Sequence, residues 1–121
     1  MTTVLVVEDT LTDLQIIYSC LQQADLKVLT ANTVEAARQQ INIYKPDLII
    51  LDVVLPDQSG FEFCRELKSD PGTRTILIIL YSHKRGTMDQ FWGMKQGADA
   101  YLVKPIDQEE LLRTLRQLLR A

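Results

Sequence analysis

The stretch Leu48-Ile49-Ile50-Leu51-Asp52 decides the fold. Four apolar residues in a row, with no polar alternation, describe a strand covered on both faces, as happens in a parallel sheet flanked by helices. The same pattern recurs on either side of it. Val4 to Val7, Ile76 to Leu80 and Ala100 to Val103 read as strands, and Val28-Leu29 as a weaker one. Between them apolar residues return at helical spacing. Leu11, Leu14, Tyr18 and Leu21 mark the first helix, and Val34, Ala37, Ile41 and Tyr44 the second. Phe61, Cys64 and Leu67 mark the third, Met88, Phe91 and Trp92 the fourth, and Leu111, Leu115 and Leu118 the fifth. Asn32 with Glu35, Ser59 with Glu62 and Asp107 with Glu110 are helix-start signals, and Gly97 stops the fourth helix. Five strand–helix units in strict alternation argue a parallel sheet with helices on both sides.

The chain has 121 residues, 46% of them hydrophobic, enough for one domain with its own core. Its formal net charge of −3 gives no electrostatic case for nucleic acid or an anionic membrane surface as a partner. Two cysteines, Cys20 and Cys64, do not make a disulfide framework and read as reduced, half-buried thiols. The apolar run before Glu8-Asp9 is too short for a leader, and no stretch approaches the ~20 apolar residues of a membrane span. A cytoplasmic place is expected. Residues 1–121 are expected to form a single domain, with no linker or segment left for an output domain.

In an open parallel sheet, ligands bind beyond the carboxyl ends of the strands. The first strand ends in Glu8-Asp9, the third in Asp52, the fourth in Ser82 and the fifth in Lys104-Pro105. Singly each has an ordinary reading: a solvated acidic turn, a loop aspartate, a serine, an exposed lysine. Together they bring three carboxylates, a hydroxyl and an ammonium to one edge. Two carboxylates ~4 Å apart repel by roughly 4 kcal/mol at an effective dielectric near 20, so three call for a cation. Hard oxygen ligands suit magnesium. Asp52, held between a metal and the Lys104 ammonium, is a plausible nucleophile toward phosphorus, and Ser82 is placed to bond a phosphoryl oxygen.

These residues resemble the receiver domains of bacterial two-component response regulators, of the stand-alone, chemotaxis-regulator-like kind. The matching stretches are Val4 to Asp9, Asp52 to Gly60, Ser82, and Gly97 to Pro105, and the likeness covers essentially the whole chain. It implies a doubly wound, flavodoxin-like α/β fold with strand order 2-1-3-4-5 and five helices. It implies Asp52 as phospho-acceptor, with Glu8, Asp9, Asp52 and the Val54 backbone carbonyl around Mg2+, Glu8 through water. Ser82 and Lys104 would grip the phosphoryl group, and Tyr101 would be the switch aromatic. The donor would be a histidine kinase or a histidine phosphotransfer protein. The output face would be the fourth helix, fifth strand and fifth helix, carrying Met88, Trp92, Tyr101 and Leu112, with Phe91 in the core. The chain would not be an enzyme beyond its own phosphorylation and dephosphorylation.

His83 departs from the family pattern, which has a small residue there, and Val54 and Lys84 hold positions that tune loss of the phosphoryl group. His83 and Val54 are expected to shield the acyl phosphate from water. Other readings of the fold are weaker. An FMN carrier needs a phosphate loop where Glu8-Asp9 stands, and a haloacid-dehalogenase phosphatase needs an aspartate where Val54 stands. A pseudo-receiver would lack one of the five key residues. Within the receiver reading, the chain docks on an effector such as a motor or pilus machine, passes the phosphoryl group along a phosphorelay, or forms part of a longer protein.

Overall fold

The computed structural model describes residues 1–120. Strands β1 (Thr3–Val7), β2 (Lys27–Ala31), β3 (Leu48–Asp52), β4 (Leu77–Ser82) and β5 (Ala100–Val103) alternate with helices α1 (Leu11–Gln23), α2 (Val34–Tyr44), α3 (Gly60–Ser69), α4 (Thr87–Lys95) and α5 (Gln108–Leu119). The strands form one sheet in the order β2-β1-β3-β4-β5, and every neighbouring pair is parallel. This is the doubly wound α/β arrangement expected from the alternation and the resemblance.

Strand pleating divides the core in two, because successive side chains point to opposite faces. Val4 and Val6, Leu48 and Ile50, Ile79 and Tyr81, and Leu102 pack with Ile17, Cys20 and Leu21 of α1 and Leu111 and Leu115 of α5. Leu5 and Val7, Ile49 and Leu51, and Ile78 and Leu80 pack with α2 and α3 on the other face. The parity extends past the apolar residues. Glu8, Asp52, Tyr81 and Lys104 continue the first set, so the pleat delivers all four to the α1/α5 side of the carboxyl edge.

Several helix faces differ from their sequence reading. In α1 the buried residues are Ile17, Cys20 and Leu21, while Leu11 and Tyr18 are exposed. Leu11 lies at the very start of the helix. Tyr44, at the end of α2, is likewise exposed. Phe63 rather than Phe61 fills the α3 core position. Phe91 is 54% exposed, not core, and Met88 and Trp92 are 74% and 53% exposed. The reason is that α4 turns its one buried residue, Gly93, to the sheet. A Cβ there would run into the Tyr101 ring and the Leu80 side chain, so only a residue without a side chain lets the helix seat. Both thiols are fully rather than half buried, and burial pushes that of Cys64 up to about 12.

The cap of α2 is Thr33, not Asn32. Thr33 has extended dihedrals, and its Oγ1 accepts from the Ala36 amide at 3.0 Å. A second cap comes from outside the helix: the Asp57 carboxylate accepts from the Val34 and Glu35 amides at 2.9 and 3.0 Å. These bonds hold the Asp57 carboxyl below the usual carboxylate range. Ser59 and Asp107 cap α3 and α5 as expected.

The loop after β3 is pinned again at Gly60, whose amide donates to the Val53 carbonyl at 2.8 Å. A methyl group on Gly60 would overlap the Asp52 carbonyl oxygen. Gly60→Ala is expected to destabilise the chain by about 2 kcal/mol, the usual scale for forcing an extra methyl into a packed site. Urea unfolding measures this, and an unchanged midpoint would contradict the packing described.

Candidate functional site

The carboxyl edge gathers its side chains by strand position. Glu8 follows β1, Asp52 closes β3, Ser82 closes β4, and Lys104 follows β5, with a cis peptide joining it to Pro105. Register keeps them together: Val7 pairs Leu51, Asp52 pairs Tyr81, and Ser82 pairs Val103. Asp9 stands exposed just beyond.

At the centre is the Lys104 ammonium. It donates to Glu8 Oε1 at 2.8 Å, Asp52 Oδ2 at 3.1 Å and Asp13 Oδ2 at 3.2 Å. Lys104, Asp52 and Glu8 are all buried, and Glu8 is 0% exposed. The other Glu8 oxygen, Oε2, accepts from the Thr10 amide at 2.9 Å. The Tyr81 hydroxyl donates to Glu8 Oε1. Asp52 Oδ1 accepts from the Val54 amide at 3.1 Å.

These partners set the ionisation of the cluster. Burial raises the Glu8 carboxyl, but donors from Lys104, Tyr81 and Thr10 outweigh it and hold Glu8 below its ordinary value. Asp52 goes the other way, to about 6, because burial and the neighbouring Glu8 charge outweigh the Val54 amide and Lys104. Burial lowers Lys104, yet Glu8 and Asp52 together keep it raised and firmly charged.

Carboxylate oxygens of Glu8, Asp9 and Asp52 all lie within 4.8 Å of one another, close enough to share a cation. The donor set is hard oxygen throughout and fits a divalent ion such as Mg2+. Both Glu8 oxygens accept hydrogen bonds, as do both of Asp52, but Glu8 is wholly buried while Asp9 and Asp52 line the open cavity, so Glu8 fits best as a source of charge and the other two as ligands. An open cavity of about 390 Å³ runs over Asp52, lined by Asp9, Asp13, Val54, Ser82, His83, Lys84 and Lys104 among others.

Tyr101 lies apart from that cavity, on the opposite face of the sheet with the α2/α3 core. Its hydroxyl donates to the Lys84 carbonyl at 2.7 Å, while the Lys84 amide donates to Ser82 Oγ at 3.1 Å. The loop after β4 thus links the two. Sequence reading missed Tyr81 and Asp13. Tyr81 shares the parity of Ile79, which signals its side; Asp13 lies four residues after Asp9, in the first turn of α1.

The comparisons with known proteins fit this geometry. A sequence profile of the response regulator receiver domain matches residues 4–116. Protein PilH of Pseudomonas aeruginosa is 36% identical, over 98% of this chain and 98% of its own length. The phosphate regulon transcriptional regulatory protein PhoB of that organism is 37% identical, and the chain spans only 52% of it. In structure, the BeF3-activated N-terminal receiver domain of Klebsiella pneumoniae RstA superposes with a TM-score of 0.91 at 28% identity, covering 99% of this chain and 100% of that one.

In the metal-free protein, carboxyl NMR is expected to show Asp52 titrating at about 6. Lys104→Met should move it upward, since the ammonium favours the carboxylate. An unfolded Asp ionises near about 4. The native chain therefore binds more protons between that pH and about 6, and the Asp52 contribution to stability declines as pH rises through the window. An ordinary Asp52 midpoint would contradict the cluster as described.

Proposed function

The chain belongs to the response regulator receiver domain family, and from that premise we propose that it is a two-component phosphoryl switch with Asp52 as acceptor. The observation that carries this reading is the Lys104 ammonium 3.1 Å from Asp52 Oδ2, inside a cluster of carboxylates at the open edge of the sheet. Residues 1–121 act as one receiver domain in the cytoplasm. They catalyse only their own phosphorylation and dephosphorylation.

An Asp52 oxygen attacks the phosphorus of a phosphohistidine on a histidine kinase or histidine phosphotransfer protein. The P–O bond forms, the P–N bond breaks, and the electron pair stays on the imidazole nitrogen, which takes up a proton. Asp9, Asp52 and the Val54 carbonyl would hold Mg2+, with Glu8 adding charge. Mg2+ bound there supplies positive charge to the phosphoryl oxygens as they develop negative charge. Lys104 supplies the second cation, and the Ser82 hydroxyl donates to one phosphoryl oxygen.

The new group brings roughly two negative charges to Asp52. Ser82 turns toward it and loosens the Lys84 segment that it shares with Tyr101. Tyr101 then repacks inward. Output runs through α4, β5 and α5, supported by the exposure of Met88, Phe91 and Trp92 on α4; Leu112 of α5, expected on this face, is instead half-buried against the α1/α5 core. Such an apolar patch on a receiver suits a protein partner. Phosphorylation shifts partner affinity only as far as the partner distinguishes the two states.

Intact mass after incubation with a small phosphodonor tests the acceptor. One phosphoryl group is expected with magnesium present, and none without it or in Asp52→Asn; labelling of the variant would move the acceptor elsewhere. His83 and Val54 both line the cavity, and Val54 is 60% exposed over it. His83→Ala is expected to shorten the lifetime of the phosphorylated form severalfold by admitting water. An unchanged dephosphorylation rate would remove His83 from this role.

A further inference from the structure

One buried group at the site has no part in the roles above: the Tyr81 hydroxyl. Tyr81 is among the largest fully buried side chains. Its hydroxyl donates to Glu8 Oε1, the same oxygen that accepts from Lys104 Nζ. The ammonium also lies over the Tyr81 ring, 4.5 Å from its centroid. Burial and the Glu8 charge push the phenol well above its ordinary value, so it remains a donor.

Lys104 is fully committed. An ammonium has three donors, and they meet the three carboxylates of Glu8, Asp52 and Asp13. To take hold of a phosphoryl oxygen on Asp52, it must release one of them. Asp13 is partly exposed and water can replace the lost bond. Glu8 has no solvent access; its Oε2 keeps the Thr10 amide, but Oε1 would be left without a donor unless a second one stood beside the ammonium.

We propose that Tyr81 is a positioning residue that holds the buried Glu8 carboxylate on its own hydroxyl and so frees the Lys104 ammonium to follow the phosphoryl group. The inference rests on the receiver reading above. A phenylalanine at 81 keeps the ring under Lys104 but leaves Glu8 Oε1 dependent on the ammonium alone. Lys104 would then be retained by Glu8, or would leave the buried Glu8 Oε1 without a donor. Either outcome disfavours the phosphorylated state, whereas the resting state keeps Lys104 on Glu8.

The probe is beryllofluoride with magnesium, titrated calorimetrically into the native chain, Tyr81→Phe, Glu8→Gln and the double variant. Tyr81→Phe is expected to weaken beryllofluoride binding roughly tenfold, the scale of a buried charged acceptor losing one of two donors. Its affinity for magnesium alone should stay within about twofold, which a general distortion of the site would not spare. In the Glu8→Gln background no buried charge remains to be stranded, and adding Tyr81→Phe should cost less than about twofold. Native-like affinity in Tyr81→Phe overturns the proposal, as does a tenfold loss that persists in the Glu8→Gln background. Failure of the native chain itself to bind beryllofluoride overturns the phosphoryl-switch reading, and this inference with it.

Discussion

Glu8, Asp13 and Asp52 lie within hydrogen-bond reach of a single ammonium, and the architecture of the carboxyl edge depends on that arrangement. At separations of a few ångströms, each carboxylate pair repels by kilocalories per mole even at a generous effective dielectric. Burial sharpens this for Glu8 and Asp52, which water cannot screen. Lys104 balances them only because β5 sets it against β4, and β3 and β1 continue the sheet beyond with the register unbroken. A slip of one residue in any strand would turn its charged terminus to the other face. The two apolar cores thus hold the charges in place, and their strength is spent partly on keeping like charges together.

The balance is uneven, and the unevenness suits chemistry. Glu8 is surrounded by donors and stays ionised, whereas Asp52 has fewer and is drawn toward neutrality near pH 6. A carboxylate short of donors gains most from an incoming cation. The same shortage makes Asp52, rather than Glu8, the group whose environment improves when more positive charge arrives.

Much of this is legible in the sequence. The unbroken apolar runs at Leu48–Leu51 and Val4–Val7 gave away strands covered on both sides, and the residues that close them named the edge. Less legible were the positions decided by three-dimensional neighbours. Helical spacing cannot tell which face of α4 meets the sheet, so Phe91 read as core; a glycine, Gly93, turned out to hold that place because the Tyr101 ring already fills it. The α2 cap was similarly hidden, since Asp57 reaches it from 23 residues away. Tyr81 was missed although strand parity signals its side, because it stands among apolar neighbours.

The two loops that wall the cavity are fastened in different ways. The one after β3 is tied to rigid elements: Gly60 to the Val53 carbonyl, Ser59 to the first turn of α3, Asp57 to the head of α2. The one after β4 hangs largely from rotatable hydroxyls, those of Ser82 and Tyr101, and from the Arg85 guanidinium on the Lys104 carbonyl. One wall therefore serves as an anvil and the other as a hinged flap. In the switch proposed above, a new charge over Asp52 would act on the flap, the wall whose fastenings can rotate, rather than on the anvil.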